Sequence, residues 1–170
     1  AIHKNRKQIG NLFTEKLGVE YSENTETLAR TARGILRTQF LTADAGFSGV
    51  NFAVAESGSL AIFSNEGNGR MCTTVPPLHI ALLSIEKILP TFKDLALFSG
   101  FLTRSATGQP LASYMSLITG TRKHGEATGA AKLHIVLLDN GRSGILKGPF
   151  RDILKCIRCS ACLNICPVYR

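Results

Sequence analysis

At 170 residues, with 44% apolar content and 16 glycines, the chain can build one compact domain with a real core and a short appendage; it suits an α/β protein better than a disordered or fibrous one. No stretch approaches the roughly 20 apolar residues that cross a bilayer, and the N-terminus lacks the apolar block of a signal peptide, so a cytoplasmic protein without a transmembrane segment is expected. The net charge of +8 raises nucleic-acid binding, but the charge is uneven. From Arg142 onward, Arg142, Lys147, Arg151, Lys155, Arg158 and Arg170 face a single acid, Asp152. No aromatic interleaves this basic stretch as a base-stacking platform would, apart from Phe150 and Tyr169 at its edges, so nucleic acid is not the expected partner. For Lys4, Arg6 and Lys7 a solvated basic face stays open. The chain starts at Ala1 without Met and stops shortly after its last cysteine, and both ends read as cut from something longer.

Residues 1–20 read as a polar amphipathic helix, with Ile9, Leu12, Phe13 and Leu17 at helical spacing. Asn24 reads as an N-cap with Glu26 in the first turn, opening a second helix to about Leu41. The texture changes at Ala43. Val50–Ala55 and Ser59–Ser64 read as two strands, antiparallel across Glu56-Ser57-Gly58. Asn65 to Arg70 reads as a loop, Leu78–Ile85 as a strand and Phe92–Thr103 as a helix. Tyr114–Ile118 and Leu133–Leu138 are further strands, flanking a polar, glycine-containing loop from Gly120 to Ala131. Gly148-Pro149 then punctuates the chain before a short helix, Phe150–Lys155. The mixture predicts α/β or α+β architecture around one central sheet with flanking helices.

Four of the five cysteines lie at Cys156, Cys159, Cys162 and Cys166, followed by Pro167. The spacing C-x2-C-x2-C-x3-C-P is the run used by bacterial ferredoxins for [4Fe–4S] clusters. Three corners of an iron–sulfur cube must be reached from one tight loop, and small residues at Ser160 and Ala161 let the backbone wrap the cluster. Structural zinc commonly pairs two C-x2-C units across a longer spacer, and a disulfide framework belongs to secreted chains. The basic residues around the thiols complement a cluster's negative charge. In two-cluster ferredoxins the last cysteine of such a run ligates the other cluster, which assigns Cys156, Cys159 and Cys162 to a first cluster and Cys166 to a second. Cys72 reads as a small buried residue.

Ahead of this lies a glycine-rich region, Ala43 to Ser59, followed by Asn65–Arg70. Its polar groups make a candidate substrate pocket of Glu56, Ser57, Ser59, Asn65, Glu66 and Arg70, with Arg70 able to fork onto a carboxylate or phosphate. Turn chemistry explains the same glycines equally well, and neither pattern is a dinucleotide or Walker loop. His79 and His134 fall in apolar strand runs, as core or edge histidines rather than ligands. His3 and His124 read as surface residues. No Ser–His–acid spacing supports a hydrolase, and no catalytic residue is assigned.

The segments Ala43–Pro90, Ser113–Arg122, Leu133–Ser143 and Cys156–Arg170, in that order, closely resemble the lactate-utilization protein B family, the iron–sulfur subunit of a three-component bacterial L-lactate oxidation system. The likeness implies an α/β lactate-utilization domain over residues 1–148, incomplete at its start and similar to the sugar-phosphate isomerase and CoA-transferase superfamily. It implies that 149–170 is the first, truncated half of a helical, ferredoxin-type two-cluster module. Two [4Fe–4S] clusters are then expected in the full-length protein, and an incomplete or absent cluster in these residues. The implied role is electron transport within an oxidoreductase complex that converts L-lactate to pyruvate, with companion subunits and an electron donor or acceptor protein as partners. Two other roles stay open. The α/β domain could bind or act on an organic acid or acyl substrate with the cluster as accessory, or it could be a scaffold for the other subunits.

Overall fold

The computed structural model describes residues 4–169, and the chain divides into two compact units, Ala1–Ala43 and Asp44–Arg170. His3, Arg170 and the first residues of the expected N-terminal helix lie outside the described residues.

The first unit is a helical pair. Helix α1 (Arg6–Leu17) opens with a capping box: Gln8 N–H donates to Asn5 Oδ1 at 3.0 Å and Asn5 N–H to Gln8 Oε1 at 2.9 Å. It closes at Gly18, whose φ of 65° is the left-handed conformation glycine adopts without a Cβ clash. Helix α2 (Thr25–Thr42) starts where expected, with Asn24 Oδ1 accepting from Thr27 N–H at 3.0 Å and Glu26 in the first turn.

In the second unit the described residues form seven strands in two sheets, where one central sheet was expected. Strands β1 (Ala45–Gly49), β4 (Leu78–Ser84) and β7 (Lys132–Leu138) make a parallel sheet in the order β1-β4-β7. Strands β2 (Phe52–Val54), β3 (Ser59–Ser64), β5 (Ile88–Leu89) and β6 (Tyr114–Ile118) make a mixed sheet in the order β5-β2-β3-β6. The antiparallel β2–β3 hairpin is as predicted. The helices of this unit are α3 (Asn68–Thr74), α4 (Phe92–Thr107), α5 (Arg142–Lys147) and the single turn α6 (Ala161–Asn164), with 3-10 turns at Ile85–Lys87 and Arg151–Lys155.

Strand alternation gives the mixed sheet two buried faces. Ala53 and Leu60 face Val50, Ala81 and Leu83, joining the two sheets through one core. Phe52, Val54 and Ala61 face the other way, toward Leu89 and Leu95 of α4, with Phe63, Phe98 and Leu102 packed around them. Phe52 anchors this second cluster, with its ring edge-on to Phe63 at 6.3 Å and tilted against Phe98 at 5.7 Å.

Three sequence readings are corrected. Ala45–Gly49 is a strand rather than a turn, because β1 needs Gly46: a Cβ there would sit 1.9 Å from the Cys72 carbonyl oxygen of α3. Asn65–Arg70 is not all loop, since α3 begins at Asn68 and carries Arg70. The short helix expected over Phe150–Lys155 is a 3-10 turn, Arg151–Lys155; ahead of it α5 follows Asp139, whose carboxylate accepts from Ser143 N–H and Oγ at 2.7 and 2.6 Å.

Candidate functional site

The cysteine segment leaves the 3-10 turn at Arg151–Lys155 and lies against the α/β unit. Ile157, between Cys156 and Arg158, packs on the Phe52 core cluster. Farther along, Asn164 Nδ2 donates to the Ser105 carbonyl of α4 at 3.2 Å. Arg158 and Ser160 take left-handed backbone angles, φ 58° and 65°, so the chain curls on both sides of Cys159. All five cysteines are free; Cys156 and Cys162 are exposed, while Cys72, Cys159 and Cys166 are half-buried.

The electrostatics of this segment involve a residue that sequence spacing did not single out. The Glu86 side chain is only 6% exposed and pairs with Arg142 Nε at 2.7 Å and with Arg158 Nη2 at 3.6 Å. The Arg142 contact is an ion pair off hydrogen-bond alignment, leaving Glu86 Oε2 without an aligned donor. Burial works to raise the Glu86 carboxyl, but the adjoining guanidiniums hold it below its ordinary value. Burial, with Arg158 nearby, lowers the Lys87 ammonium, against the opposing pull of Glu86 and Cys156. Asp152 pairs with Lys155 at 2.7 Å on the surface.

Among the described residues no three His, Cys, Asp or Glu side chains are grouped to hold a metal ion. The donor set nevertheless fits an iron–sulfur group by chemistry. It offers four soft thiols on one short curled segment, with Lys87 and Arg158 supplying positive charge and the nearby acids already paired.

The six residues of the candidate substrate pocket are not brought together. Glu56 Oε1 accepts from Phe92 N–H at 2.7 Å, capping α4. Ser57 donates to Ser59 Oγ at 2.8 Å, and buried Ser59 meets Thr119 Oγ1 at 2.9 Å. Asn65 Oδ1 accepts from Ser113 N–H at 3.1 Å, and Asn65 and Glu66 share a groove of about 270 Å³ with Gln109. Arg70 is exposed on α3, its carbonyl accepting from the Thr73 and Thr74 hydroxyls.

Another cavity, of about 550 Å³, lies between the end of α3, β6, the start of β7 and the 119–130 loop. His79 lines it. This histidine is 1% exposed, with Nε2 2.7 Å from Ser48 Oγ and Nδ1 buried without a partner. Burial lowers its pKa, so the ring is neutral at pH 7. His79 is thus the core histidine expected, whereas His134 and His124 are exposed.

The two sheets, flanking helices and the four-cysteine segment that follows them define a mixed α/β domain. Residues 1–138 match the family model for the LUD domain, and the chain belongs to that family. Over all 170 residues it is 49% identical to lactate utilization protein B of Bacillus licheniformis, 49% to that of Anoxybacillus flavithermus and 47% to that of Bacillus subtilis. It spans 36% of the length of each of these relatives. A crystal structure of a duf162 family protein from Deinococcus radiodurans is similar over 59% of this chain and 56% of its own, at 20% identity and a TM-score of 0.46. Among the described residues no helix is long and apolar enough to cross a membrane.

Proposed function

We propose that this chain belongs to an iron–sulfur electron-transfer subunit of a multicomponent system that oxidises L-lactate to pyruvate. The observation that carries the reading is the C-x2-C-x2-C-x3-C-P run, set in a chain whose 170 residues all align with about a third of proteins named for lactate utilization. Cys156, Cys159 and Cys162 hold one [4Fe–4S] cluster and Cys166 contributes to a second, the remaining ligands being expected from a further cysteine quartet of the longer protein. Such clusters accept one electron at a time from a partner that performs the two-electron oxidation. Lys87 and Arg158 offset the negative charge of the cluster, with Arg158 Nη2 3.6 Å from Glu86. Companion subunits, an electron donor or acceptor protein and a cytoplasmic location complete the reading.

The test is anaerobic purification of this chain and of the full-length protein, with iron, acid-labile sulfide and zinc assayed per chain. About eight irons and eight sulfides in the full-length protein, with broad visible absorption that bleaches on dithionite, is the expected result. About four of each in the 170 residues alone would overturn the ligand assignment, because Cys166 or Cys72 would then complete a cube locally. Stoichiometric zinc without sulfide in the full-length protein would sink the electron-transfer reading.

A further inference from the structure

The cavity beneath the 119–130 loop belongs to none of the chemistry assigned above. We propose that it binds a small organic carboxylate, gripped by Arg122 and Lys123 at its rim with its carbon body against Ile118 and Leu133. Its volume of about 550 Å³ falls within the roughly 300–1,000 Å³ usual for small-molecule sites.

Three observations carry this. The first is charge. Arg122 and Lys123 line the cavity, and neither makes an ion pair among the described residues. The acid beside them, Glu126, is engaged, with Oε2 accepting from Lys123 N–H at 2.6 Å.

The second is the bracing of the loop. Arg122 N–H donates to the Ala130 carbonyl and Gly129 N–H to the Thr74 carbonyl, each at 2.9 Å, pinning both ends over the cavity. Gly129 supplies the backbone conformation this closure needs: its φ of 105° is one that side chains rarely adopt.

The third is His79. Its Nδ1 is buried without a partner, although a polar atom in that state is destabilising. Sites that keep such an atom are commonly functional ones. Ser48 fixes the ring through Nε2, so the imidazole is held in one orientation under the cavity.

A carboxylate suits these surroundings better than a phosphate. The histidine is neutral, Glu126 repels a second negative charge, and Ile118 and Leu133 offer a carbon chain an apolar wall. The guanidinium of Arg122 matches a carboxylate's two oxygens.

Calorimetric titration of the 170-residue chain with succinate, L-lactate and inorganic phosphate tests the site, alongside the R122A/K123A double variant. At least one carboxylate is expected to bind one per chain, with Kd below about 10 mM. The double variant should weaken it about tenfold or more, as loss of charge-assisted hydrogen bonds does. The ring-nitrogen NMR signals of His79 should move on binding. Both substitutions lie on an exposed loop, and an unchanged thermal melt confirms that the comparison is between folded proteins. Absence of carboxylate binding, affinity unaltered in the double variant, or phosphate binding as tight as carboxylate would each overturn the proposal. The result is independent of cluster content, so it stands or falls separately from the electron-transfer reading.

Discussion

Two buried ionisable residues tie this protein's stability to pH. Glu86 has a folded pKa below its ordinary value, so the stability it contributes is complete above the unfolded value of 4.5 and is lost as pH falls through the folded one. Replacing it by alanine leaves Arg142, whose side chain is 16% exposed, without its partner, at an expected cost of about 3 kcal/mol in urea unfolding at pH 7. Arg158 is 60% exposed, and its share is small. An E86A midpoint equal to that of the parent chain would mean that the pair only breaks even. His79 acts at higher pH. Its folded pKa is depressed by burial, so the unfolded chain takes up a proton first, and stability falls as pH drops below 6.5. H79N is expected to flatten the stability profile between pH 7 and pH 5; an unchanged slope would place the titration elsewhere. His79 is legible in the sequence as a histidine within an apolar strand run, but Glu86 is not. Glu86 meets arginines far along the chain, and nothing in its neighbourhood marks it as the carboxylate that becomes buried.

At the scale of elements, what could be read early was what local chemistry decides. Asn24 caps α2 because its short amide reaches the third residue of the helix, and that pattern is visible in four letters. The β2–β3 hairpin shows as two apolar runs around Glu56-Ser57-Gly58, and β4, α4, β6 and β7 as apolar runs of the right length and period. Strand β1 was illegible because Gly46, Ser48 and Gly49 are the composition of a turn. Only the packing of α3 explains why glycine is needed at 46. The two glycines make a matched experiment. G46A forces a Cβ onto the Cys72 carbonyl, backbone against backbone, and should destabilise by about 2 kcal/mol or more. G49A, with open space around its Cβ, should be neutral or stabilising by about 0.5 kcal/mol. Equal melting temperatures for the pair would mean that α3 does not pack against β1 so closely. The candidate pocket failed for a related reason. Glu56, Ser59 and Arg70 are near in sequence, but a hairpin, a strand face and a helix send them to three different places. The loop cations at Arg122 and Lys123 went unnoticed because a polar, glycine-containing stretch reads first as a mobile connection.

For the molecule as a whole, the parallel sheet is lopsided. Strand β7 ends the sheet, yet Ile135, Val136, Leu137 and Leu138 are between 38% and 58% exposed. Continuous apolar strands of this kind are normally covered on both faces in parallel sheets, and an open apolar edge templates pairing with another chain. The 170-residue chain is therefore expected to self-associate with rising concentration, and L137K to raise the concentration at which light scattering begins. Identical scattering curves would show that association runs through another surface. The opposite extreme is the cysteine segment. Ile157 sits in the same cluster as Phe98 and Leu102, so a residue between two thiols is also part of the packing of α4. Truncating it in I157A should cost about 1–3 kcal/mol and open the bonds after Lys155 and Arg158 to trypsin. Whatever settles among the thiols must fit a backbone that is already clamped beside its first cysteine. The α/β domain thus serves as a jig for the cysteines, and a distortion of either one becomes mechanical work done on the other.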